Sequence, residues 1–116
     1  MHVLAAIIAS AAMIGTASAA EISIPVANGT AVEELSARYE CDDRVIDVVY
    51  INAGSASLAV IELGDSKVVA AGVISGSGAR YAGDRYIWWN KGSQATLYDL
   101  MAGGEDTPAA TCTEAP

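Results

Sequence analysis

Short runs of apolar and β-branched residues recur along the chain, and Gly, Asn, Asp and Ser separate them. Val45 to Ile51 carries five β-branched residues with Tyr50 and reads as a strand. Asn52-Ala53-Gly54-Ser55 ends it. Ser57 to Leu63 is the next strand, Gly64-Asp65 the next turn, and Lys67 to Ile74 the strand after that. Upstream, Ala37 to Cys41 reads as the first core strand, with Asp42-Asp43 turning the chain. Downstream, Tyr86 to Trp89 is extended, Asn90-Lys91-Gly92 turns, and Gln94 to Met101 runs extended again. Gly103 to Pro108 is a polar loop, and Thr111-Cys112 closes the fold.

No helical periodicity follows residue 40. Recurrent short strands with turns between them predict an all-β fold, a small antiparallel β-barrel or sandwich. A barrel removes the free edges that a small sheet must otherwise protect. The expected core is Val48, Tyr50, Leu58, Val60, Val69, Val73, Ile87, Leu97 and one tryptophan. Trp88 and Trp89 are adjacent and so face opposite sides of a strand. One belongs to the core and the other to a rim or a contact surface.

The start of the chain has a different pattern. Leu4 to Ile14 is an apolar run too short to span a bilayer as a helix. It leads into Ala17-Ser18-Ala19, a small-x-small cleavage site. Residues 1–19 are therefore expected to be a signal peptide, cut after Ala19 or one residue later after Ala20. His2 stands where Lys or Arg is usual, which leaves open a start further upstream, and a buried N-terminal helix is the alternative. No Cys follows the apolar run, so the expectation is a soluble exported protein without a lipid anchor. Residues 20–37 form an N-terminal extension, and 38–116 the domain. Within the extension, Ile22, Ile24 and Val26 share one side, and Pro25 limits the segment to an edge strand or an arm. Ala31 to Arg38 fits a helical turn or a second extended piece. The apolar side of the arm is a candidate homodimer contact; the alternative is a disordered terminus.

A length of 116 residues suits one small domain. Cys41 and Cys112 are the only cysteines, and export favours a disulfide between them over two free thiols. Fourteen acidic and six basic residues give a formal charge of −8. Such a surface repels nucleic acid and anionic membranes and suits a basic partner. His2 is the only histidine. Without it the mature chain has no imidazole to activate a nucleophile or complete most zinc sites. No cofactor or metal is implied. The pairs Asp42-Asp43 and Glu105-Asp106 are the candidates for carboxylate catalysis, but adjacent acids on a turn are ordinarily solvated. A ligand-binding barrel of this size has little interior room, because side chains fill it.

The stretch with the most specific pattern is Ser75-Gly76-Ser77-Gly78-Ala79-Arg80-Tyr81, followed by Trp88-Trp89-Asn90-Lys91-Gly92. Its two ends read as surface loops and the aromatic run between them as a strand. A strand pair would carry both loops to one end of the fold.

These two motifs, with a Tyr-x-Cys strand at Tyr39 to Cys41 and a lone Cys near the end, strongly resemble the MliC/PliC family of bacterial inhibitors of C-type lysozyme. The resemblance covers about residues 38 to 113 and, lacking a lipid-attachment Cys, is most like the soluble periplasmic PliC form. It implies an eight-stranded antiparallel barrel closed by a C-terminal disulfide, Cys41–Cys112, and no enzymatic activity. It also implies that a loop enters the substrate cleft of lysozyme, a basic host enzyme, and so protects peptidoglycan. Ser77 and Lys91 stand fourteen positions apart, as the family's inhibitory Ser and Lys do. Ser75, Gly76, Gly78, Ala79, Arg80 and Tyr81 match the rest of the first motif, and Trp89 and Gly92 frame the Lys. C-type lysozyme works with one protonated and one ionised carboxyl group. A serine hydroxyl donates to one and accepts from the other. Lys91 is expected at an acidic group on the cleft rim, and Tyr81 to add rigid apolar area there. The alternative is a non-inhibitory periplasmic barrel that binds another cationic envelope partner or a small ligand.

Overall fold

The computed structural model describes residues 20–116; the expected signal peptide lies outside them. Eight strands run β1 (Val32–Cys41), β2 (Val45–Ala53), β3 (Ala56–Leu63), β4 (Ser66–Val73), β5 (Ala79–Gly83), β6 (Tyr86–Lys91), β7 (Gln94–Asp99) and β8 (Ala110–Glu114). Each pairs antiparallel with its chain neighbours, and β1 pairs with β8 to close the barrel. The expected all-β antiparallel barrel is the fold. Cys41 stands directly opposite Cys112 across the β1–β8 seam, and the two are joined by a disulfide.

Strand limits differ from the sequence reading in three places. β1 starts at Val32 and takes in residues read as extension; it is a strand, not a helical turn. Ala79–Gly83 is a strand of its own, though it carries one large apolar residue and is too short to show alternation. Gly83 is required there, since a Cβ would overlap the Val69 carbonyl of β4. β7 stops at Asp99, not Met101. The Asp99 carboxylate accepts from the Met101 amide at 3.0 Å and from Arg85 Nε at 2.7 Å, which turns the chain.

The interior holds Tyr39, Ile46, Val48, Ala59, Ile61, Val68, Ala70, Tyr81, Trp88, Ala95, Leu97, Ala110 and Cys112. Val48, Leu97 and one tryptophan, Trp88, are core as expected, and Tyr50 packs against them. Leu58, Val60, Val69 and Val73 are not. β3 and β4 present Ala59, Ile61, Val68 and Ala70 inward instead, a one-residue change of phase that exchanges the faces. Val49, Val60 and Val69 form a row across the outside of three strands. The reason is volume. One Trp and three Tyr side chains share the interior of a barrel of eight strands, and two of the four inward residues of β3 and β4 are alanines, Ala59 pairing with Tyr50. Ile87 is also buried, but on the outer face of β6 and apart from the interior cluster.

Residues 20–31 form an arm with no ladder partner until Val32, broken by the turn at Asn28-Gly29, where the Thr30 amide donates to the Ala27 carbonyl at 3.1 Å. Ile22, Ile24 and Val26 lie along a groove they share with Val32, Ile51, Ala53, Ala56 and Leu58 of the same chain.

Candidate functional site

The β5–β6 hairpin positions the site. β5 enters from the loop Ile74–Gly78 and β6 leaves into the turn at Gly92-Ser93, so both loops lie at one end of the barrel. Ala79 pairs with Asn90, Arg80 with Trp89 and Tyr81 with Trp88. One step further in the same register sets Gly78 across from Lys91. Gly78 has φ +64° and no room for a side chain, since a Cβ would lie 2.8 Å from Lys91 Cγ and overlap the Asn90 carbonyl. The loop is thus seated on the strand that carries the lysine.

Ser77 and Lys91 are both exposed, as are Gly76, Gly78, Ala79 and Gly92. Ser75 is half-buried, and its hydroxyl donates to the Ser77 carbonyl at 2.6 Å. The Trp89 indole N–H donates to the same carbonyl at 2.9 Å. The ammonium of Lys91 lies 4.2 Å from the Trp89 ring centroid, and the Arg80 guanidinium 5.5 Å from it. Arg80 is paired with Glu105, which ties the segment after β7 to this face. Beside Trp89 runs a shallow groove of about 80 Å³ lined by Lys91, Gln94, Thr96 and Tyr98.

Tyr81 is a correction. It is 6% exposed and points into the barrel, its ring 5.6 Å from that of Tyr50. Strand alternation fixes this: Arg80 faces out across from Trp89, so Tyr81 faces in across from Trp88. It cannot supply contact area at a rim. Asp42-Asp43 and Glu105-Asp106 are exposed, and no charged side chain is buried among the described residues.

The chain matches the family model described as membrane-bound lysozyme-inhibitor of c-type lysozyme over residues 39–106. The chain belongs to this family. A curated relative in Cupriavidus necator, named membrane-bound lysozyme inhibitor of C-type lysozyme, is 38% identical over 113 residues, covering 94% of this chain and 90% of the relative. A Pseudomonas aeruginosa relative of the same name is 48% identical over 81 residues, 68% of this chain; that match spans 64% of the relative's length. Among solved structures, Pseudomonas aeruginosa MliC in complex with hen egg white lysozyme matches with a TM-score of 0.71 and 37% identity, covering 86% of this chain and 99% of that one.

Beneath the MliC-family motif lies a polar network that the sequence reading missed. Trp88 Nε1–H donates to the Tyr50 hydroxyl at 2.8 Å, and the Tyr39 and Tyr50 hydroxyls are 2.7 Å apart. The Asn90 amide donates to Tyr39 at 2.8 Å and to Tyr50 at 3.3 Å. Asn90 follows Trp88 by two on β6 and so shares its inward face; a polar residue at an inward position was the available signal. Burial, the largest cause, pushes the Tyr39 and Tyr50 phenols above the usual tyrosine range, so both stay protonated and able to donate. The network braces Asn90, and the Asn90 backbone is the surface on which Gly78 rests.

Proposed function

We propose that this chain inhibits a C-type lysozyme by inserting the loop around Ser77 into the substrate cleft, and so protects bacterial peptidoglycan from hydrolysis. In this reading the Ser77 hydroxyl meets the two catalytic carboxyl groups, and Lys91 meets an acidic group on the rim. The observation that carries it is the seating of Gly78 on Asn90 and Lys91, which leaves exposed Ser77 and exposed Lys91 side by side at one end of a rigid barrel. Ser75, Gly76, Ala79, Arg80, Trp89 and Gly92 belong to the same surface or support it. Family membership and a relative solved with hen egg white lysozyme support the choice of partner.

The formal charge of −8 suits a basic enzyme and speeds encounter, while the inserted loop sets the dissociation rate. The chain acts as an inhibitor and not as an enzyme. It is exported to the periplasm, with residues 1–19 removed. N-terminal sequencing of the protein from a periplasmic fraction tests that: a mature end at Ala20 or Glu21 is expected, and an uncleaved terminus overturns it.

The direct test is lysis of a bacterial cell-wall suspension by a C-type lysozyme, with and without the disulfide-bonded chain, at low and moderate salt. Inhibition that weakens with salt is expected. Absence of inhibition at micromolar protein would overturn the reading.

A further inference from the structure

Ser77 and Lys91 sit on different segments, yet one side chain touches both. Trp89 faces outward from β6, across from Arg80. Its indole N–H donates to the Ser77 carbonyl at 2.9 Å, and its ring carries the Lys91 ammonium at 4.2 Å. The other donor to Ser77, the Ser75 hydroxyl, belongs to the loop itself and moves with it. Among the described side chains, only Trp89 bonds the Ser77 backbone to the barrel. Lys91 follows Trp89 by two residues and therefore shares its face. The Arg80 guanidinium, 5.5 Å from the same ring, is held in turn by Glu105.

We propose that Trp89 is a positioning residue that fastens Ser77 and Lys91 together before any partner arrives. This deepens the lysozyme-inhibitor reading and rests on it. The chemistry suits tryptophan. The indole combines a broad π face for a cation with an N–H donor at its edge, which neither Phe nor Leu can do. The gain is preorganisation. A loop ordered in the free protein gives up less conformational freedom on entering a cleft, and the saving appears as a longer-lived complex. Ser77 is fixed through its backbone, so its hydroxyl stays free for the partner.

Trp89→Phe separates the two tasks, because it keeps an aromatic face under Lys91 and removes the donor to Ser77. Trp89→Leu removes both. Each is compared with the wild-type chain in two measurements: ¹⁵N relaxation of the amides of residues 75–78 in the free protein, and association and dissociation rates with a C-type lysozyme. In Trp89→Phe the loop amides lose order while those of β1 to β4 do not, and dissociation speeds up by about tenfold, the loss of one hydrogen bond, with association little changed. Trp89→Leu loses more than Trp89→Phe. Loop order unchanged in Trp89→Phe would overturn the proposal even if affinity fell, since Trp89 would then act by direct contact. Loop order lost with dissociation unchanged would overturn it too. Should the wild-type chain bind no C-type lysozyme, the inhibitor reading fails on its own, and the loop-order comparison still decides whether Trp89 holds Ser77.

Discussion

Gly78 packs against Lys91 so closely that a methyl group on Gly78 would lie 2.8 Å from the lysine Cγ. Its φ of +64° is a second demand for glycine. Gly78→Ala is expected to lift the loop off β6 and to cost about 1–2 kcal/mol of stability from the left-handed backbone alone. The barrel is expected to persist, because Gly78 lies outside every strand. Thermal unfolding and the lysis assay check this: a modest fall in Tm with a larger loss of inhibition is the expected pair of results.

Ser77→Ala is expected to weaken inhibition by about 1–3 kcal/mol, because buried charged groups of the partner lose their hydrogen-bond partner. Lys91→Ala should act similarly or less. Neither side chain is buried, so both variants should unfold like the wild type. Inhibition constants and urea unfolding measured together check the split.

The disulfide joins residues 71 apart in sequence and closes the β1–β8 seam. Replacing both cysteines by serine is expected to cost about 4 kcal/mol in the chain-entropy view. Denaturant unfolding of the variant against the oxidised wild type measures it, and a difference near zero would place the stability elsewhere in the ladder.

Burial raises the Tyr39 and Tyr50 phenols above their ordinary range in the folded state. The unfolded chain ionises its tyrosines near pH ~10. Stability from these groups is therefore complete below that pH and declines as pH rises beyond it. Tm measured from pH 8 to 12 should fall most steeply above about pH 10. Tyr50→Phe should remove the steepest part, at a cost of about 1–3 kcal/mol at neutral pH, because the Trp88 N–H loses its acceptor.

Ile22, Ile24 and Val26 line a groove with Val32, Ile51 and Leu58 of their own barrel and stay exposed. A chain starting at Thr30 keeps all of β1 and should show the same association state as one starting at Ala20. A drop in apparent mass on size exclusion would mean that the arm links two copies. A cut at Ala37 would not serve, since it removes part of a core strand.

The sequence alone determined what is local or covalent. β-branched runs and their turns specified most of the strands, and a single cysteine pair specified the closure. The motif around Ser77 and Lys91 was legible with its family, because glycine and aromatic spacing is written directly in the chain. Only the tertiary structure decided which way each strand faces. On β3 and β4 both faces are apolar, so alternation does not separate Leu58 and Val60 from Ala59 and Ile61, or Val69 from Val68 and Ala70. The choice belongs to the shared interior: Trp88, Tyr39, Tyr50 and Tyr81 take much of its volume, and the face of β3 and β4 that carries Ala59 and Ala70 with Ile61 and Val68 is the one that packs with them. The same closure turns Tyr81 inward, brings Asn90 onto the tyrosine hydroxyls, and sets the Trp89 indole beneath the Ser77 carbonyl. Those contacts join residues on different segments, and their geometry exists only once the barrel has closed.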